Sequence, residues 1–137
     1  MTKHQVYLGL GSNLGEKEEN IHKAIKLISE RVGLVVRQSS LIMTEPWGFE
    51  SDNAFVNAAV LCETKLTPRQ VLRATQKIER ELGRTHKSVA GHYADRLIDI
   101  DILLYDDLRV DEPDLQIPHP LMHERDFVMI PLGEIRD

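Results

Sequence analysis

The stretch at residues 97–105, Leu-Ile-Asp-Ile-Asp-Ile-Leu-Leu-Tyr, constrains the fold more than any other part of the chain. It is the most apolar strand candidate, and within it Ile98, Ile100 and Ile102 alternate with Asp99 and Asp101. Successive side chains of a strand point to opposite faces, so this spacing turns the isoleucines toward helices and sets both carboxylates on the other face, about 7 Å apart. A chain built around it needs a sheet with one face packed and one face left for water or chemistry.

The helices are written on either side. Residues 6–10 form a short apolar run closed by Gly11-Ser12-Asn13, after which Ile21, Ala24, Ile25, Ile28 and Val32 recur at helical spacing. Glu16, Glu18 and Glu19 precede or open that helix, Arg31 lies near its end, and Gly33 predicts a left-handed glycine cap. Residues 34–43 and 55–64 then read as two strands across a connection holding Pro46, Gly48 and Asp52-Asn53. Thr67-Pro68-Arg69-Gln70 carries a Thr cap, a Pro in the first turn and a Gln three residues after the cap, and Val71, Thr75, Ile78 and Leu82 follow at helical spacing up to Gly83. With the strand at 97–105 the order is β-α-β-β-α-β, which predicts an α+β fold (an α/β sandwich) with a ferredoxin-like core. The remainder, with Pro113, Pro118, Pro120 and Pro131, is expected to be irregular with short helical pieces covering the core's edge.

At 137 residues the chain suits a single domain over 1–137, large enough to bury a core without staples. Its 17 Lys+Arg against 22 Asp+Glu give a net charge of −5, a poor start for a nucleic-acid binder. No run of apolar residues is long enough to cross a membrane, and the N-terminus lacks the apolar core of a signal peptide. Cys62 is the single cysteine, in the apolar context Ala58-Ala59-Val60-Leu61, and reads as a small buried hydrophobe in a cytoplasmic, reducing setting.

Two like charges on one strand face repel unless something positive lies between them. Hard carboxylate oxygens suit Mg²⁺ completed by water and phosphate, although solvated aspartates on a water-facing sheet account for the same spacing. Just upstream, Arg80, Arg84, His86, Lys87, His92 and Arg96 concentrate positive charge in an acidic protein, as a polyphosphate ligand requires. A solvated loop with Arg96 paired to Asp99 is the plainer account. Gln76 and Glu79, on the second helix away from the Val71/Thr75/Ile78 stripe, suit a ribose or base equally with ordinary helix-surface polarity. Gly9-Leu-Gly11-Ser-Asn-Leu-Gly15 fits neither a dinucleotide nor a Walker fingerprint and is expected to be a tight turn. His119 and His123 have the spacing of a helical metal pair, but the flanking Pro118 and Pro120 make zinc improbable. Trp47, Phe49 and Phe55 stand ready to stack a flat heterocycle or to pack under their loop.

Taken together, Tyr7-Leu-Gly-Leu-Gly-Ser-Asn-Leu-Gly15, Thr44-Glu-Pro-Trp-Gly48, Phe55-Val-Asn-Ala-Ala59, Arg96-Leu-Ile-Asp-Ile-Asp-Ile-Leu103 and Ile117-Pro-His-Pro-Leu-Met-His-Glu-Arg-Asp-Phe127 resemble the 6-hydroxymethyl-7,8-dihydropterin pyrophosphokinase family over nearly the whole chain. The resemblance implies transfer of pyrophosphate from ATP to a pterin alcohol in folate biosynthesis, on a ferredoxin-like fold. It implies that Asp99 and Asp101 bind two Mg²⁺ ions bridging the ATP phosphates and that Arg84 and Arg96 stabilise the transferring group. Thr44, Glu45, Trp47, Phe55, Asn57, Tyr93 and Phe127 would shape the pterin pocket, with Asn57 hydrogen-bonding and Phe55 and Phe127 sandwiching the ring. Gln76, Glu79, Ile102, His119 and Arg125 would join the two arginines around ATP. ATP and hydroxymethyl-dihydropterin are thus the expected partners, without nucleic acid or membrane, and a monomer is expected rather than an oligomer.

Two features depart from the family pattern. Where it usually has Trp-Gly-Pro before the arginine, this chain has Tyr93-Ala94-Asp95 after a loop about two residues longer, and it stops at Asp137 where many relatives continue. Asp95 adds negative charge beside the phosphates and lacks proline stiffness, which predicts an altered Michaelis constant for ATP. A nucleotidyltransferase also carries Asp-x-Asp on a strand, but its Gly-Ser helix start belongs about a dozen residues upstream, far from Gly11-Ser12. An RNA-binding module of the same element order needs aromatics and basic charge where this strand has carboxylates.

Overall fold

Alternation of Val6, Leu8 and Leu10 with smaller or polar residues makes the first strand, β1 (His4–Ser12), and a computed structural model that describes residues 3–44, 54–83 and 97–136 shows what packs on it. The helix α1 (Lys17–Arg31) follows, burying Ile21, Ala24, Ile25 and Ile28. Then come β2 (Gly33–Gln38), β3 (Ile42–Thr44), β4 (Phe55–Thr64) and the helix α2 (Pro68–Gly83), which buries Val71, Thr75 and Ile78. The acidic strand is β5 (Asp99–Tyr105), succeeded by the hairpin β6 (Val110–Glu112) and β7 (Leu115–Ile117), a 3₁₀ turn at Met122–Glu124 and the helix α3 (Asp126–Ile135).

The main sheet is antiparallel, in the order β2-β4-β1-β5 with β3 also paired to β4, as the ferredoxin-like reading requires. Val6, Leu8, Leu10, Val56, Ala58, Val60, Cys62, Ile100 and Ile102 point from one face into the core beneath α1 and α2. Cys62 behaves as expected, fully buried among these side chains, with burial pushing its thiol up to about 12.

The capping box at the start of α2 is formed: the Thr67 N–H donates to Gln70 Oε1 at 2.9 Å and the Gln70 N–H to Thr67 Oγ1 at 3.2 Å. The expected left-handed cap at Gly33 is not. The residue after α1 is Val32 in right-handed helical conformation, and Gly33 already pairs with Thr64 as the first residue of β2. A Cβ on Gly33 would stand 1.9 Å from the Glu63 carbonyl oxygen, so glycine is needed there for close backbone approach and not for its dihedral range. The strand expected at 34–43 is also divided. Ser39 leaves it to exchange hydrogen bonds with Ala59, its N–H donating to the Ala59 carbonyl at 2.9 Å and its Oγ accepting from the Ala59 N–H at 2.8 Å.

The C-terminal extension is more regular than expected, and it covers a face instead of an edge. Despite Pro131 inside it, α3 lies on the sheet face opposite α1 and α2, where Ile135 meets Ala59 and Leu61, and Val128 and Leu132 meet Leu103 and Met122. Its last turn is tied down by Arg37, whose Nη1 donates to the Ile135 carbonyl at 2.9 Å, and by Glu134, which accepts from the Ser40 N–H at 2.9 Å. None of the apolar clusters under α3 includes Gly11, Phe55, Asn57, Asp99 or Asp101, which occupy the other end of the same face.

Candidate active site

The register of β1 places glycines at that end of the face. Asp99 lies directly across from Gly11 and Asp101 across from Gly9, while on the other side of β1 Gly11 lies across from Asn57 and Gly9 from Ala59. Directly opposed residues of a sheet share a face, so two glycines form a trough between the carboxylates of β5 and the side chains of β4. The tight turn expected over 9–15 is therefore corrected: Gly9 and Gly11 are strand residues, and among the described glycines only Gly15 has positive φ, +67°. An alternating glycine pair in a strand is itself a signal of close approach, distinct from any phosphate-loop fingerprint.

Asn57 and Phe55 lean into the trough. A Cβ on Gly11 would meet Asn57 Oδ1 at 3.0 Å and the Phe55 ring at 3.4 Å. Asn57 is buried and its Nδ2 donates to Thr44 Oγ1 at 2.7 Å, which leaves its amide oxygen on the Gly11 side. Thr44 pairs with Phe55 across β3 and β4, so these three expected pterin residues come together. Phe127 is half-buried on α3, packed beside Leu103 and Met122, and the Arg125 guanidinium carbon lies 5.5 Å from its ring centroid. Glu45, Trp47, Arg84, Tyr93 and Arg96 lie outside the described residues, as does the basic stretch from Arg84 to Asp95.

Glu79 does not behave as helix-surface polarity. Its Oε2 accepts the Ile100 N–H at 2.8 Å, turning the side chain from α2 onto β5. Burial first and then the nearby Asp99 charge push its carboxyl up to about 8. Gln76 is exposed on α2. His119, which follows the cis Ile117–Pro118 bond, is half-buried, and burial followed by the Arg125 charge holds its pKa below the ordinary histidine value. Its Nδ1 accepts the Leu121 N–H at 3.3 Å, which leaves the neutral ring's proton on Nε2.

β5 is an edge strand, and a cavity of about 270 Å³ runs beside it, lined by Leu72, Ile100, Asp101, Ile102, Leu115 and His119 among others. Because the Ile100 N–H points away from β1 to Glu79, strand alternation turns the Ile102 N–H and carbonyl toward the same open edge. Leu72, Ile100 and Leu115 escaped the sequence reading because an apolar residue facing a cavity has the same pattern as one facing the core. Among the described residues no group of three or more His, Cys, Asp or Glu side chains is arranged as a metal cage, and His123 is exposed on the 3₁₀ turn. No described helix is long and apolar enough to cross a membrane.

A ferredoxin-like sheet with an acidic pair on one face and a cavity at its edge places the chain among α+β proteins that carry a small-molecule-sized site on an antiparallel sheet. Comparison with known proteins is more particular: the chain belongs to the 7,8-dihydro-6-hydroxymethylpterin-pyrophosphokinase (HPPK) family, whose model matches residues 7–137. It is similar to the 2-amino-4-hydroxy-6-hydroxymethyldihydropteridine pyrophosphokinase of Porphyromonas gingivalis, 50% identical over 131 residues, 95% of this chain and 89% of that one. It is likewise similar to the enzyme of that name from Bacillus subtilis, 40% identical over 130 residues, 94% of this chain and 76% of the relative. Among solved structures, the crystal structure of an HPPK-DHPS in complex with substrates matches with a TM-score of 0.74 at 15% identity over 98% of this chain, which spans 40% of that one. Wild-type Plasmodium falciparum HPPK-DHPS with pterin and p-hydroxybenzoate matches with a TM-score of 0.74 at 16% identity, again over 98% of this chain and 40% of the other. Those structural likenesses show the fold. The family membership gives the activity: the chain transfers pyrophosphate from ATP to hydroxymethyldihydropterin in folate synthesis.

Proposed function

We propose that this reaction runs across β5 and β1, with ATP entering from the sheet edge and the pterin lying in the glycine trough. The order of groups across the sheet carries the reading: Thr44, Asn57, Gly11, Asp99, and then the edge cavity, with Asp101 reaching the cavity wall. Asn57 presents its amide oxygen to the ring edge of the pterin, and Phe55 and Phe127 stack on the ring, with Thr44, Glu45, Trp47 and Tyr93 completing the pocket. The cavity takes the adenosine, whose base edge meets the backbone of Ile102 and whose apolar faces meet Leu72 and Leu115. Gln76, Glu79, His119 and Arg125 complete the ATP site.

Asp99 and Asp101 would hold Mg²⁺. The fit rests on the donor set, since two hard carboxylates on one strand face leave a net negative site that phosphates alone would worsen. When bound, the metal neutralises charge on the phosphates. The protein's own groups do the rest by position. Neutral His119 offers its Nε2 proton to a phosphate oxygen, and Arg84 and Arg96 meet the charge that develops as the hydroxymethyl oxygen attacks the β-phosphorus and AMP departs. Asp99 would assist by accepting the attacking hydroxyl proton. Buried Cys62 suits the cytoplasm, and the chain acts as a monomer.

The test is chromatographic quantification of AMP formed from ATP and Mg²⁺ with and without hydroxymethyldihydropterin, in the wild type and in Asp99→Asn and Asp101→Asn. Pterin-dependent AMP should fall by at least about a hundredfold in both variants, the scale of several kcal/mol of charge stabilisation. Turnover near wild type in either variant removes the acidic pair from the mechanism.

A further inference from the structure

Arg69 has no part in the site described above, yet its side chain ties the far wall of the edge cavity to α2. That wall is the tip of the β6–β7 hairpin, where Pro113, Asp114, Leu115 and Gln116 line the cavity. Arg69 lies in the first turn of α2, and its Nη1 donates to Asp114 Oδ2 at 2.6 Å while its Nη2 donates to Glu112 Oε1. A single guanidinium thus bridges two carboxylates, Glu112 at the end of β6 and Asp114 in the turn, and a planar fork of donors is suited to holding two such partners in a fixed geometry. The opposite wall, Leu72, comes from the same first turns of α2, so the Arg69 bridge ties the two walls together at the surface, above the Leu115 and Ile117 side chains that the core buries.

We propose that Arg69 is a positioning residue for the nucleotide, fixing the hairpin tip against α2 and neutralising Asp114 where a polyanionic ligand enters. The inference rests on the reading that the edge cavity takes the adenosine of ATP. Asp101 lines the same cavity, so an unpaired Asp114 adds a second negative charge to a wall that a nucleotide must pass. The Arg69 guanidinium holds the Asp114 carboxyl below the ordinary range, in keeping with the close ion pair. The pterin trough lies across β5 and β1 from this hairpin, so Arg69 has no reason to affect pterin binding.

The experiment compares the wild type with Arg69→Ala, Arg69→Lys, Arg69→Ala/Asp114→Asn and Gln116→Trp. Calorimetric titration with MgATP is run beside the Michaelis constants for ATP and pterin and the turnover number. Gln116 is exposed at the cavity mouth, so the tryptophan obstructs the cavity without entering the core. Arg69→Ala should weaken ATP about fivefold, the scale of one lost ion pair and its positional constraint, with the pterin constant and turnover within about twofold of wild type. Arg69→Lys should fall between, and the added Asp114→Asn should recover part of the loss. Unchanged ATP affinity in Arg69→Ala together with weakened ATP in Gln116→Trp overturns the role of Arg69 and leaves the cavity reading intact. Unchanged ATP affinity in Gln116→Trp overturns the cavity reading and the inference with it. A fall in turnover with both Michaelis constants unchanged also overturns the inference, since that reports lost active protein.

Discussion

Replacing Gly11 by alanine perturbs the proposed pterin side of the site alone. Gly11 lacks positive φ, so alanine meets no backbone strain and the whole effect is spatial. The new methyl would lie 3.0 Å from Asn57 Oδ1, a few tenths of an ångström inside an ordinary contact, and 3.4 Å from the Phe55 ring. Asn57 has little room to retreat, because its Nδ2 is held by Thr44 Oγ1 at 2.7 Å and the residue is buried. Relief therefore comes from turning the amide away, which sacrifices that hydrogen bond, worth about 1 kcal/mol, or from an overpacking strain of about 1–3 kcal/mol. If about 1.4 kcal/mol of this falls on ligand binding, the Michaelis constant for hydroxymethyldihydropterin rises about tenfold. The constant for ATP should stay within about twofold. At Gly9 the nearest neighbour of an added methyl is the Leu103 side chain, at 3.4 Å, so the clash with Asn57 belongs to Gly11. Steady-state kinetics with each substrate varied, alongside thermal unfolding, gives the answer. Equal losses for both substrates, or a destabilised Gly11→Ala with unchanged pterin kinetics, would refute the reasoning that links this glycine to Asn57.

Other expectations follow from the same contacts. Gly33→Ala should cost about 3 kcal/mol or more of stability in a denaturant titration, because its Cβ would lie 1.9 Å from the Glu63 carbonyl oxygen, and the substrate constants of the remaining folded enzyme should not move. Thr67→Ala should lower stability by about 1 kcal/mol by removing the hydroxyl that accepts the Gln70 N–H, as read by the midpoint of urea unfolding. Cys62 should resist a thiol reagent at pH 8 in the native state and react at once in denaturant. Its folded pKa, about 12, lies above the ordinary 9.0, so its contribution to stability is complete below about pH 9 and is lost as pH rises toward 12. Measured stability that is flat from pH 9 to 11 in the wild type, and identical to that of Cys62→Ala, contradicts this.

Features governed by near neighbours in the chain were legible without the fold. The capping box of Thr67 and Gln70, the helical stripes of α1 and α2, and the alternation that buries Ile100 and Ile102 while turning Asp99 and Asp101 the other way depend on residues a few positions apart. The ferredoxin-like element order follows from those periods, and several motifs in sequence sufficed to suggest the family. What tertiary structure alone decided concerns pairs far apart in sequence. Gly33 resembles a helix cap until Glu63 is placed 1.9 Å from where its Cβ would be, and Gly9 and Gly11 resemble a turn until Asp101 and Asp99 are set opposite them. Glu79 resembles solvated helix polarity until it accepts the Ile100 N–H. α3 resembles an irregular tail until its apolar side closes over Ala59, Leu61 and Leu103. Helical and strand periods report which way a residue faces, whereas register and the packing of one layer on another determine what it meets there. The site of this protein is made at such meetings, where β1 brings two glycines between the carboxylates of β5 and Asn57 of β4.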